Sequence, residues 1–166
     1  MWVRILSLLA RFGLAAVWLA SGWIKGSDPT QTIVAVRAYD ILPESLVRPV
    51  ATGLPALEIA LGLLLVIGLG VRVTALVSAL LLLVLIAAIA SSWARGLSID
   101  CGCFGGGGAA DVGAWDYARE ILRDIGFLIL AGWLIAFPRS AFALGPRSRG
   151  PFGRREQHPS PDHLAS

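Results

Sequence analysis

The stretch Val73-Thr-Ala-Leu-Val-Ser-Ala-Leu-Leu-Leu-Leu-Val-Leu-Ile-Ala-Ala-Ile89 carries no charge, and its only polar side chains are Thr74 and Ser78. With the residues that follow it to position 94, it exceeds the roughly 20 mainly apolar residues that a helix needs to cross the hydrocarbon core of a bilayer. The rest of the chain fits that reading. Of its 166 residues 56% are apolar and 15% charged, and the mean hydropathy of +0.73 is more than a soluble domain of this size can hide. Three further windows are spans by the same criterion: residues 5–24, 50–71 and 117–137. The last is the weakest, because its unbroken apolar part, 125–138, is too short alone and the helix must take in Arg119, Glu120, Arg123 and Asp124.

The first window also has marks of a signal peptide, with Arg4 in a charged region and small residues near Leu19-Ala-Ser-Gly22. Its length, the interruption at Arg11 and the aromatic pair Trp18 and Trp23, read as interfacial anchors, favour a retained span. Between the first two spans, residues 30–48 are too polar to cross. Ile33, Val34, Val36, Ile41 and Leu42 beside Arg37, Asp40 and Glu44 predict a short amphipathic helix on the membrane surface, broken at Pro43. It is either a simple connector or a lid. The expected fold is therefore all-α: a polytopic membrane protein, a four-transmembrane-helix bundle with a short interfacial helix between helices 1 and 2.

Residues 138–166 differ in character. Arg139, Arg147, Arg149, Arg154 and Arg155 stand among five prolines, a composition that cannot bury enough apolar surface to fold. The expectation is a membrane domain over 1–137 and a disordered basic tail over 138–166 that touches anionic lipid rather than nucleic acid. Four spans put both termini on one side. The positive-inside rule then assigns Arg4, Arg11, Arg72 and the tail arginines to the cytoplasm, leaving Lys25, Arg37, Arg48, Arg95, Arg119 and Arg123 outside. This predicts a multi-pass protein of the cell membrane whose loop from Arg95 to Asp116 faces the extracytoplasmic space.

That loop holds the only two cysteines, in Asp100-Cys-Gly-Cys-Phe-Gly105. A Cys101–Cys103 disulfide needs a bent backbone, since three consecutive alpha carbons span at most about 7 Å and a disulfide wants about 4.4–6.8 Å. Gly102 permits the bend, and such a small strained ring suits reversible exchange better than stapling. A metal site is the rival, but thiolate sites usually take four ligands, and His158 and His163 both lie in the tail. The reading is no metal. Asp100, next to Cys101, opposes thiolate formation, so a cation from elsewhere is needed, and Arg119 and Arg123, one turn apart, are candidates. Glycines 105–108 read as a hinge, since a Gly-rich loop without a following Lys-Ser/Thr is a weak phosphate signal.

Glu58 falls about eight residues into the second span, a costly position that calls for a partner or a task. Lys25, Glu58, Arg119, Glu120, Arg123 and Asp124 would share the outer half of the membrane with the cysteines. They form either a charge and proton cluster serving thiol chemistry, or plain ion pairs in which Glu58 meets Lys25 or Arg123. Gly53, Gly62, Gly68 and Gly70 read as helix-packing positions.

In order along the chain, Ser21-Gly-Trp-Ile-Lys-Gly-Ser-Asp-Pro29, Tyr39-Asp-Ile-Leu-Pro43, the Pro55, Glu58 and Gly62 pattern, Cys101-Gly-Cys-Phe-Gly105, and Arg119 with Arg123-Asp124 resemble the MauE branch of the DoxX-like membrane proteins, over roughly residues 8–137. The resemblance implies a redox-associated membrane protein that assists disulfide formation or maturation of exported proteins, with a link to methylamine utilisation. It gives Cys101 and Cys103 the redox role, while Lys25, Asp28, Glu58, Arg123 and Asp124 match motif positions. One cysteine pair supports one exchange step, so the expected partners, besides the bilayer, are a thioredoxin-like protein or an exported client. Other DoxX relatives suggest a membrane quinone as the cofactor. A non-catalytic scaffold that recruits an oxidoreductase is the alternative. Oligomeric state is not legible.

Overall fold

The computed structural model describes residues 2–100 and 107–138. Five helices follow one another: α1 (Trp2–Ser27), α2 (Pro29–Ala38), α3 (Glu44–Ile67), α4 (Val71–Ala94) and α5 (Ala114–Ala136). Between α4 and α5, two short strands, β1 (Ile99–Asp100) and β2 (Gly108–Ala109), pair antiparallel with Ile99 opposite Ala109 and Asp100 opposite Gly108. This hairpin has no hydropathy signal and was not expected. Among the described residues α1, α3 and α4 are long and apolar enough to cross a membrane. The fourth apolar window is one continuous helix, α5, that takes in Arg119, Glu120, Arg123 and Asp124.

Several boundaries differ from the sequence reading. The second span does not run to Val71. It ends at Ile67, because Gly68 and Gly70 both adopt left-handed conformations (φ +75° and +57°) and the Gly68 and Leu69 N–H groups close back on the Leu64 carbonyl. The apolar run continues through this turn, so composition hid it. At its other end α3 starts at Glu44, and Pro43 is its N-cap rather than a break in the preceding helix. The preceding helix stops earlier, at Ala38, where the chain turns through Asp40 at φ +49°. Arg37 reaches across this turn and donates from Nε to Glu44 Oε2 at 3.0 Å.

α1 packs against α3 and α5, and α4 against α5 and α3. Leu14, Leu61, Leu65, Leu82 and Leu134 fill the centre. Because lipid tails compete for apolar surface, close packing and interhelical hydrogen bonds hold such helices together. Trp18, expected at the interface, is instead buried, and its Nε1 donates to Ser78 Oγ at 3.0 Å; a buried indole finds an acceptor. Trp23 is 72% exposed, as an anchor would be. At the opposite end Trp133 Nε1 donates to Ser7 Oγ, which donates to the Phe137 carbonyl, at 3.2 and 3.0 Å. Arg11, which interrupts the first apolar window and counts among the cytoplasmic arginines by the positive-inside rule, is fully buried on α1 with its guanidinium 4.9 Å from the Phe12 ring centroid. Helical periodicity turns it inward.

The α1–α3 crossing is the tightest. A Cβ on Gly62 would lie 2.6 Å from Leu19 Cγ and 3.2 Å from the Ala15 carbonyl; one on Gly22 would lie 2.9 Å from the Pro55 carbonyl and 3.1 Å from Glu58 Cβ. Of the four glycines read as packing positions only Gly62 serves that way. Gly53 and Gly70 have open space, and Gly68 ends α3. Gly22 on α1 is its counterpart. Gly22→Ala is expected to lower stability by about 1–3 kcal/mol, the cost of overpacking a fixed contact. Gly53→Ala is expected to be neutral or stabilising, by up to about 1 kcal/mol. Unfolding in detergent measures both, and equal effects would contradict the packing account.

Candidate functional site

One end of the helix assembly brings Lys25, Asp28, Arg95, Arg119, Glu120, Arg123 and Asp124 together with the flanks of the cysteine stretch. The Asp28 side chain caps α2 by accepting from the Gln31 N–H at 2.9 Å, with Pro29 in the first turn. Thr32 then donates to the Lys25 carbonyl at 2.8 Å, holding α2 against the end of α1. So placed, Gln31 donates from Nε2 to the Gly107 carbonyl at 2.6 Å. Val34 approaches so closely that a Cβ on Gly108, itself at φ +105°, would meet it at 2.9 Å. Glycine is required there by both space and backbone. α2 therefore rests on the hairpin, and its Thr32 and Ala35 are buried.

The other side of the hairpin is held by α5. The Tyr117 hydroxyl accepts from the Ile99 N–H at 3.1 Å and donates to the Leu97 carbonyl, while its ring stacks on Trp93 with centroids 6.1 Å apart. Arg95 at the end of α4 donates to the Asp40 carbonyl at 3.1 Å and to the Tyr39 carbonyl, tying in the α2–α3 turn. Asp100, Asp116, Tyr117, Arg119 and Glu120 line a cavity of about 120 Å³ beside this hairpin. Arg119 thus shares a cavity with the residue that precedes Cys101. Cys101, Cys103 and their expected disulfide lie outside the described residues.

Beneath this surface sit two ion-pair groups. Lys25 Nζ donates to Glu58 Oε1 at 2.5 Å, with the lysine side chain 8% exposed and the glutamate fully buried. Of the two partners considered for Glu58 the structure selects Lys25, one from each of the two tightly crossed helices. Ser21 supplies a hydrogen bond to the same carboxylate. On α5, Arg123 bridges two carboxylates, reaching Glu120 Oε2 at 2.5 Å and Asp124 Oδ1 at 3.0 Å. Arg123 holds these two carboxylates on α5, and Arg119 lines the cavity beside the hairpin. The second oxygens of Glu58 and Asp124 are buried with no hydrogen-bond partner among the described residues.

A second cavity of about 280 Å³ opens between α2, α3 and α4. Its wall is almost wholly apolar, with Val36, Leu54, Leu81 and Leu85 prominent and Lys25, Thr32 and Tyr39 as its polar members. The clamp residues Gln31, Tyr117 and Arg95 were missed in the sequence. Gln31 acts through one long-range bond and Tyr117 and Arg95 through two each, which no local pattern encodes, although an N-cap at Asp28-Pro29 could have marked where α2 and hence Gln31 begin.

Removing one member of the Lys25–Glu58 pair leaves a buried charge alone, which costs about 3–5 kcal/mol. Lys25→Met or Glu58→Gln is expected to lose that much. The Lys25→Met, Glu58→Gln double variant is expected to lose less than either single variant. Thermal or denaturant unfolding in lipid nanodiscs measures the cycle, and additive losses would contradict a direct pair.

Residues 3–137 match the family model described as methylamine utilisation protein MauE. No curated protein and no solved structure matches the chain. The match spans the clamp, both ion-pair groups and the three apolar spans, and it stops where the basic tail begins: the chain belongs to the MauE family of membrane proteins, linked to methylamine utilisation.

Proposed function

We propose that this protein carries out thiol–disulfide exchange at the outer face of the cell membrane, through Cys101 and Cys103, during disulfide formation or maturation of exported proteins. The observation that supports it best is the clamp. Asp100 pairs with Gly108, so the two flanks of the cysteine stretch are held together, and Arg119 lines the cavity beside Asp100. Cys101 is one peptide unit from Asp100, a separation of about 3.8 Å between alpha carbons. A guanidinium in that neighbourhood favours the thiolate, the leaving group when a client sulfur attacks the Cys101–Cys103 bond, and offsets the carboxylate of Asp100.

In this reading α5 is the fourth membrane span, α2 lies at the interface as a cover, and residues 1–137 form the membrane domain. The basic tail after them lies in the cytoplasm with the N-terminus. In the exchange, a thiolate of an exported client attacks the Cys101–Cys103 bond and forms a mixed disulfide. The client's second thiol then displaces it. The client loses two electrons and two protons as its S–S bond forms, and Cys101 and Cys103 take both up as thiols. Restoring the pair requires a thioredoxin-like partner in its disulfide form or a membrane quinone.

The quinone version draws on the cavity between α2, α3 and α4, whose volume is close to the lower bound of about 300 Å³ for small-molecule sites. Its apolar wall suits the ring and chain, and Lys25, Thr32 and Tyr39 would hold the head. A quinone bound there supplies a two-electron, two-proton acceptor. The chain's own residues shape the cavity, exclude water from it and tie it through Lys25 to Glu58. The alternative function is a scaffold that recruits a soluble oxidoreductase without chemistry of its own.

The variant Cys101→Ser, Cys103→Ser separates these readings. Oxidation of exported thiols, followed by alkylation and mass spectrometry, is expected to fall to the level of a deletion strain while the variant still inserts in the membrane. Oxidation at the wild-type level would favour the scaffold and overturn the exchange reading.

A further inference from the structure

Arg123 serves two carboxylates at once. It holds Glu120 Oε2 at 2.5 Å and Asp124 Oδ1 at 3.0 Å, so this group on α5 has two acids and one base. The two acids are unequal. The Glu120 side chain is 21% exposed and lies on the cavity shared with Arg119, whereas that of Asp124 is 4% exposed and its Oδ2 has no hydrogen-bond partner among the described residues. The helices packed on α5 do not supply the missing cation. On α1, Lys25 lies within electrostatic reach of Asp124 but spends its short contact on Glu58 of α3. On α4, Ser92 is buried and uncharged, and Arg95 is directed to the Asp40 and Tyr39 carbonyls. An excess negative charge at membrane depth is costly, and a proton is the smallest ligand that cancels it.

We infer that Asp124 is an internal proton-binding site: its Oδ2 carries an exchangeable proton at neutral pH, while Oδ1 accepts from Arg123. The proton cancels the excess negative charge, and it leaves Arg123 to balance Glu120. This site deepens the exchange reading, since the thiolates that leave when a client opens the Cys101–Cys103 bond take up protons, and a protonated carboxyl at the same end of the molecule is a donor for them. It does not depend on that reading.

Infrared spectroscopy of the full chain in lipid nanodiscs, with both cysteines replaced by serine, tests the site apart from any thiol chemistry. The expected result at neutral pH is the C=O stretch of a protonated carboxyl that moves down in heavy water, shifts when aspartate carboxyls carry carbon-13, and is absent from Asp124→Asn. It is expected to survive in Glu58→Gln. The isotope shift needs no variant, so the test stands even where Asp124→Asn fails to fold. No protonated carboxyl band, a band that shifts only with labelled glutamate, or a band that persists in a folded Asp124→Asn protein would each overturn the proposal.

Discussion

The ion pair between Lys25 and Glu58 governs how the rest of this protein is arranged. Two opposite charges buried between α1 and α3 at 2.5 Å are tolerable in a membrane only if the helices stay in contact. Gly22 and Gly62 make that contact possible by letting backbone carbonyls and side chains approach where a methyl group would collide. Once α1 is fixed, its last turn presents the Lys25 carbonyl to Thr32, which sets the position of α2. α2 then meets the hairpin through Gln31 and Val34. A single buried pair is thus linked, contact by contact, to the flanks of the cysteine stretch.

This chain of contacts gives the proposed chemistry its physical setting. Exchange at a dithiol needs a thiolate, an approach path for a client sulfur, and somewhere for protons and electrons to go. Arg119 beside Asp100, the two bridged carboxylates of α5 and the apolar cavity next to Lys25 sit on elements that converge at one end of the molecule. Lys25 lies in the last turn of α1 and Arg119, Glu120, Arg123 and Asp124 in the first three turns of α5, where each buried charge has a partner.

Much of this was legible in the sequence because bilayer thickness imposes a length on apolar helices, and 73–94 meets it without a charge. The charged first turns of α5 were read correctly as part of a helix for the same reason. What composition could not reveal was conformation inside apolar runs. The turn at Gly68 and Gly70 is as hydrophobic as the helices beside it, and Trp18 and Arg11 look like edge residues until helical phase points them inward. Glu58 announced that it had a partner, yet whether Lys25 or Arg123 depended on which helices cross closely. Gly22 stands inside the motif Ser21 to Pro29, but its packing role needs Pro55 and Glu58 in place beside it. The hairpin and its clamp are held by isolated long-range bonds from Gln31 and Tyr117, and no periodicity records those.

The central claim is that Cys101 and Cys103 form a reversible pair on the outer side of the membrane. Labelling intact cells with a membrane-impermeant thiol reagent, after brief reduction or oxidation and followed by mass spectrometry of the purified chain, tests it most directly. The account predicts that both cysteines are labelled in reduced cells and protected in oxidised ones. Labelling that appears only after lysis, or that is the same under both conditions, would contradict it.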